Sequence, residues 1–320
     1  MLSVVEQRAD GMGTPWITNR EGRRVPSNES GARTAQILAG LESSRCSFHH
    51  VRGSLSPAVD AALAACHDAG YLRSLRQRSS ELSEGEVAMD PRYCRPGEGP
   101  HMPIFRGAFE IAYEGAAVAL EASQLLLQGA PIAYAACRPP GHHAGPDWLG
   151  GYCYLNNAMV AVQNLRRAGW SPLALLDLDF HFGDGSSAMA ERLDDVLYGS
   201  IHTSAVTEYP WRRNEPLERG QLLTSPAAPP TVAEFVAMLE QLLRECADRA
   251  VQAIVVSLGY DLVEADPHGK WALPPSLFAQ IGSLLAETGL PVCFVQEGGY
   301  AVDQLAECAI QLATGVVDVG

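Results

Sequence analysis

From Asp177 to Gly185 the chain reads Asp-Leu-Asp-Phe-His-Phe-Gly-Asp-Gly, directly after an apolar run. Carboxylates and imidazoles bind Zn²⁺ and similar divalent ions, and side chains along a strand point alternately to opposite faces. Extended backbone here puts Asp177, Asp179 and His181 on one face, with Leu178, Phe180 and Phe182 on the other. Taken alone, the stretch fits either a zinc site or a strand that ends in a solvated polar turn.

The elements that must position these residues follow from the surrounding hydropathy. Apolar spacing and composition predict helices over 32–41, 56–65, 107–128, 156–168, 231–250, 275–287 and 302–312. Short apolar runs predict strands over 132–137, 173–181, 196–202, 253–260 and 291–296. Helices alternating with nearly all-apolar strands imply an α/β fold: three αβα layers whose central, mainly parallel sheet is covered on both faces. Residues 1–30, broken by Gly11, Gly13 and Pro15, read as irregular, and 79–103, with Pro91, Pro96 and Pro100, as a long loop. Nothing in the 320 residues demands more than one domain, so 1–320 is read as a single unit.

In such a sheet, ligands bind beyond the carboxyl ends of the strands. Four predicted strand ends carry polar clusters: Arg138 to Gly145 with His142 and His143, the Asp177 stretch with Asp184, Tyr260-Asp261 with Asp266, and Glu297-Gly298-Gly299-Tyr300. Recurrence at four ends is hard to explain as packing, and it tips the first stretch toward a functional site.

A formal charge of −14 argues against nucleic acid and anionic membrane as partners, since both need a basic surface. The chain has no apolar run long enough to span a bilayer and no signal-peptide core behind Met1. Its eight cysteines form no CxxC pair, which fits reduced cytoplasm. A soluble cytoplasmic protein acting on a small molecule is expected.

At the residues quoted above the chain resembles the zinc-dependent deacetylases of the histone deacetylase superfamily, with its arginase/deacetylase fold, and within it the bacterial acetylpolyamine amidohydrolases. The blocks that carry the resemblance are His67 to Leu72, Arg138 to Gly145, Gly150 to Asn157, Asp177 to Gly185, Ser257 to Asp261 and Glu297 to Tyr300. Residues 1–60 match only loosely, around Pro26, Glu29 and Arg33. The resemblance implies one Zn²⁺ per chain held by Asp179, His181 and Asp261, with an open position for water and substrate. It implies that His143 is the general base, His142 an electrostatic partner, and Tyr300 the donor to the developing oxyanion, with Asp177 backing His142 and Asp184 backing His143. It further implies that the Gly151 carbonyl receives the substrate amide N–H and that Tyr152 and Tyr209 wall the channel. A structural monovalent cation, K⁺ or Na⁺, is implied at Asp177, Asp179, His181, Ser200 and Ile201. A homodimer is also expected by resemblance.

The chain departs from the family at Phe182, where a second histidine is usual, and at the rim, where His268 and His101 replace residues of other character. Phe182 is expected to point away from Asp179 and His181. The implied activity is hydrolysis of an acylated primary amine, with acetylpolyamines as the leading substrates. The alternatives are acyl-lysine, a small biosynthetic intermediate, or a non-catalytic protein that binds acylated amines. Related two-metal arginases are disfavoured because the chain has ligands for one transition metal and the monovalent cation.

Overall fold

The apolar runs that predicted strands are buried except for His181, Val196 and Pro291 at their ends, and they assemble side by side. The computed structural model describes residues 2–7, 15–19, 21–44, 46–51, 56–95, 100–211 and 221–318. In chain order its strands are β1 Leu2–Gln7, β2 Trp16–Thr18, β3 Arg24–Pro26, β4 Cys46–Val51, β5 Val87–Ala88, β6 Ile104–Phe105, β7 Ile132–Ala136, β8 Leu173–Asp177, β9 Val196–Ile201, β10 Leu222–Thr224, β11 Ile254–Leu258 and β12 Val292–Gln296. Eight of them form one sheet in the order β10-β9-β8-β11-β12-β7-β1-β4. Every pairing within it is parallel. β2 with β3, and β5 with β6, make two short antiparallel ribbons outside it.

Alternation along the central strands divides their side chains between two cores. Ala133, Ala135, Leu175, Val255 and Val295 face one core, under helices Ala108–Leu127 and Asn157–Arg167. Tyr134, Leu176, Val256 and Phe294 face the other, under Gly31–Glu42, Val232–Asp248, Leu277–Glu287 and Val302–Asp318. Two buried faces explain why these strands read as continuous apolar runs. Helix starts follow local chemistry: Thr231 accepts from the Glu234 N–H at 3.3 Å while Glu234 accepts from the Thr231 N–H at 2.8 Å, a capping box.

The structure differs from the sequence reading mainly in the first third. Leu2–Gln7 is no irregular segment but an interior strand of the sheet, between β7 and β4. Cys46–Val51 was not foreseen as a strand, and Ala69–Glu81 is a helix that takes the start of the expected 79–103 loop. Within the regions read as irregular or loop, residues 1, 8–14, 20 and 96–99 lie outside the described residues. The strand expected over 173–181 stops at Asp177, four residues early. Alternation fails accordingly: Leu178 and Phe180 enter the second core, but Phe182 enters the first and lies 4.8 Å from the His202 ring. No described helix is long and apolar enough to cross a membrane.

Candidate active site

The loops that leave β7, β8, β11 and β12 at their carboxyl ends converge. After β8, the His181 ring nitrogen Nδ1 lies 3.2 Å from Asp179 Oδ1 and 3.0 Å from Asp261 Oδ2, the latter delivered by the loop after β11. One ligand atom from each of the three residues lies within 4.8 Å of the others. Gly298 and Gly259 pack against the two carboxylates so closely that a Cβ on Gly298 would sit 2.5 Å from Asp179 Oδ2. Backbone N–H groups hold the pair in place, Gly298 on Asp179 Oδ2 at 2.8 Å and Phe180 on Asp261 Oδ1 at 3.1 Å. Burial, and then the Asp179 charge, push the Asp261 carboxyl up to about 7. Two buried carboxylates and an imidazole around one point form a donor set that fits a divalent metal ion.

Beside this cradle stand His142 and His143, ring centroids 4.0 Å apart. His142 Nδ1 lies 3.2 Å from Asp177 Oδ2, and His143 Nδ1 2.8 Å from Asp184 Oδ1. Their environments pull the two imidazoles in opposite directions. Burial works against charge on His142, but Asp179 and Asp177 outweigh it and raise its pKa well above the ordinary value. Burial, then the charge of His142, lowers His143 to about 3 despite Asp184. The surroundings thus favour positive charge on His142 and disfavour it on His143, a division suited to electrostatics and base chemistry respectively. Glu297 fixes the histidine loop by accepting from the Gly141 N–H at 2.6 Å and the His142 N–H at 3.0 Å.

Tyr300 follows Gly299, whose φ of 117° favours glycine, and its ring lines the cavity above Asp179 and His181. Its backbone N–H donates to Asp266 Oδ2 at 2.6 Å. Arg33, buried in the first helix, donates from Nε to the Gly299 carbonyl and from Nη2 to the Glu297 carbonyl, each at 2.5 Å. The same guanidinium lies 4.4 Å from the Tyr300 ring centroid. Burial keeps the phenol protonated, with its pKa well above 10.

These groups open into a cavity of about 250 Å³ lined also by His101, Gly151, Tyr152, Tyr209 and His268. Gly151 has φ of 50°, and a Cβ there would meet His143 Cδ2 at 2.2 Å, so the residue lets backbone run against the histidine. His143 and Tyr209 meet edge to face at 4.5 Å. The rim histidines are committed side chains: His101 Nε2 is 2.8 Å from the Tyr209 hydroxyl, and His268 Nε2 is 2.9 Å from Asn28 Nδ2 and 3.2 Å from the Tyr152 hydroxyl. Burial, then the charge of His181, lowers His268 to about 4. Ser200 and Ile201 lie apart from the cavity on β9, where Ser200 pairs in register with Asp177 while its hydroxyl meets His202 Nδ1 at 2.8 Å.

Several contributors had no place in the sequence reading. Arg95 Nη1 reaches Asp184 Oδ2 at 2.9 Å from the stretch read as a long loop. Glu29 stands 2.9 Å from Arg138 Nε and 3.5 Å from Arg33 Nη1, tying the weakly matched N-terminal region to the histidine and tyrosine loops. His67 lies beneath the site: its Nδ1 is 2.9 Å from the Gly145 carbonyl, and its Nε2 accepts from the Asn156 N–H at 3.0 Å. The only hints were the loose match around Glu29 and Arg33 and the block that begins at His67.

Comparison with known proteins extends this geometry. The Histone deacetylase domain family matches residues 27–316, so much of the segment read as loosely matched falls inside it. The chain is 39% identical over 220 residues to acetylpolyamine amidohydrolase 1 of Pseudomonas aeruginosa, an alignment covering 67% of this chain and 64% of that relative. It is 30% identical to the acetylpolyamine amidohydrolase of Mycoplana ramosa across 92% of this chain and 94% of the relative. The crystal structure of an acetylpolyamine aminohydrolase from Burkholderia pseudomallei superposes with a TM-score of 0.89 at 30% identity, covering 100% of this chain and 99% of that one.

Proposed function

Because the chain belongs to the histone deacetylase family, we propose that it is a zinc-dependent amidohydrolase, a single domain over 1–320, that removes an acetyl or other short acyl group from an acylated primary amine. Acetylpolyamines, named in the relatives above, are the leading substrates. The observation that carries this reading is the convergence on one cavity of a metal-competent triad, two carboxylate-backed histidines and a buried phenol.

In this reading Asp179, His181 and Asp261 hold the zinc. When bound, the ion supplies Lewis acidity toward the acyl carbonyl and an adjacent water. His143 keeps a free lone pair on Nε2 because Asp184 engages Nδ1, and Nε2 takes the proton from the attacking water. Arg95 holds Asp184 from the far side, which limits rotation of that carboxylate. As the water oxygen bonds to the acyl carbon and the C–N bond breaks, Nε2 returns the proton to the departing amine. His142, charged between Asp177 and Asp179, contributes positive potential. The Tyr300 hydroxyl donates to the oxygen that gains charge, and burial makes it a donor that does not ionise. The Gly151 carbonyl accepts the substrate amide N–H and so orients the scissile bond. A monovalent cation, K⁺ or Na⁺, at Asp177, Asp179, His181, Ser200 and Ile201 belongs to the same proposal, supported by the pairing of Asp177 with Ser200 across β8 and β9.

The test is release of free amine by zinc-loaded protein from acetylputrescine, acetylcadaverine, acetylspermidine and acetyl-lysine peptides. Turnover of at least one, abolished by chelation and restored by Zn²⁺, is the expected result. Zinc-loaded protein that turns over no acylated amine would rule the reading out.

A further inference from the structure

We infer that the cavity mouth is built for a zwitterionic head, so that the substrate class is an Nω-acylated α,ω-diamino acid with free α-ammonium and carboxylate groups. This rests on the amidohydrolase reading above and narrows its substrate. The juxtaposition that carries it is Glu208 with Lys270. Glu208 lies in the loop after β9, Lys270 in the loop after β11, and both line the cavity with Tyr209 and Trp211. Their side chains form an ion pair across the mouth, with Lys270 66% and Glu208 22% exposed. Lys270 is the only lysine in the chain. Beyond Asp179, these are the only carboxylate and the only ammonium among the described residues that line the cavity.

The pairing selects by charge count. A diamine bearing one acyl group presents a lone ammonium, which meets a carboxylate already neutralised by Lys270. An acylated amino-alkanoate presents a lone carboxylate and meets the mirror problem. A zwitterion engages both: its ammonium takes Glu208, its carboxylate takes Lys270, and no charge is left without a partner. Opening the pair gives up one contact and returns two, because Glu208 and Lys270 each regain an opposite charge from the ligand. Neither rim histidine competes, since His101 is engaged by Tyr209 and His268 by Asn28 and Tyr152. Hydrolysis then adds water across the side-chain amide, giving the carboxylic acid and the free diamino acid.

The experiment compares kcat/KM of the zinc-loaded protein on Nε-acetyl-lysine, on N-acetylcadaverine, which lacks the carboxylate, and on ε-acetamidohexanoate, which lacks the ammonium. Nε-acetyl-lysine is expected to exceed both by about tenfold or more. Lys270→Gln should lower its advantage over acetylcadaverine about tenfold, and Glu208→Gln its advantage over ε-acetamidohexanoate about tenfold, both through KM. Acetylcadaverine turned over as well as acetyl-lysine, with ratios unmoved in both variants, overturns the inference and leaves the amidohydrolase reading standing. If no acylated amine is turned over, that reading fails, and calorimetric titration with lysine and cadaverine decides the mouth. Lysine binding that weakens in both variants supports it; equal binding of the two amines sinks it.

Discussion

The floor and the rim of the cavity are built on opposite principles. On the floor, Asp177, Asp179, Asp184, Asp261, His142 and His143 are buried, and each meets a named partner at hydrogen-bond or near-contact distance. At the rim, Glu208, Lys270, Trp211 and His101 stand in loops, exposed or half-buried, with links such as Glu208 to Lys270 and His101 to Tyr209. A floor so connected tolerates almost no change, because each group is the counter-charge or orienting partner of another. The rim can be rewritten residue by residue without disturbing it. Resemblance to relatives therefore speaks for the reaction, whereas the choice of amine lies in side chains that a fold match does not read.

The hardest blow to the floor is Asp261→Ala. Removing one of the three donors should drop bound zinc from about one per chain to near none and cut kcat/KM roughly a thousandfold or more, read by elemental analysis and kinetics. A variant that keeps its zinc would dissolve the distinction at its base. Tyr300→Phe should retain metal and lose about 10²- to 10³-fold in kcat; near-full turnover would remove Tyr300 from the floor's chemistry.

The support beneath the floor titrates. Burial lowers His67 to about 4 from its ordinary 6.5, and its hydrogen bond to the Gly145 carbonyl offsets only part of that effect. The unfolded chain takes up this proton first as pH falls, so the contribution of His67 is full above pH 6.5 and is lost progressively down to about 4. The loss should reach about 3 kcal/mol. Denaturant titrations across that window should show a shallower pH slope in His67→Gln than in the parent chain, and equal slopes would refute the assignment. The smallest effect belongs to the rim: Tyr209→Phe loses the bond to His101 and should lower kcat/KM about threefold, mostly through KM. A hundredfold loss would mean that the rim takes part in the chemistry.

The floor was legible in the sequence because a parallel sheet buried on both faces writes its strands as apolar runs, and the polar clusters stand directly after them. Asp179, His181 and Asp261 could be read that way, since each lies within four residues of a strand end. The alternation argument worked only while the strand lasted, and it misassigned Phe182 because β8 ends at Asp177. Arg95 was invisible as a contributor and Arg33, named only in a loose match, had no role assigned, for their partners lie 89 and 266 residues away and no local period marks either. β1 was overlooked because six residues next to a glycine-rich stretch carry too little pattern to stand against it. The mouth pair joins two loops 62 residues apart, so only the fold reveals it.

Arg33 reaches from the first helix to the carbonyls of Glu297 and Gly299. During synthesis, the anchor emerges long before the residues it must hold. Every residue proposed to bind metal or to move a proton is made earlier, whereas the Tyr300 phenol follows later and packs beside Arg33. In the proposed mechanism the donor to the oxyanion is therefore the last group of the site to be made, and the site is completed by a contact between distant parts of the polypeptide.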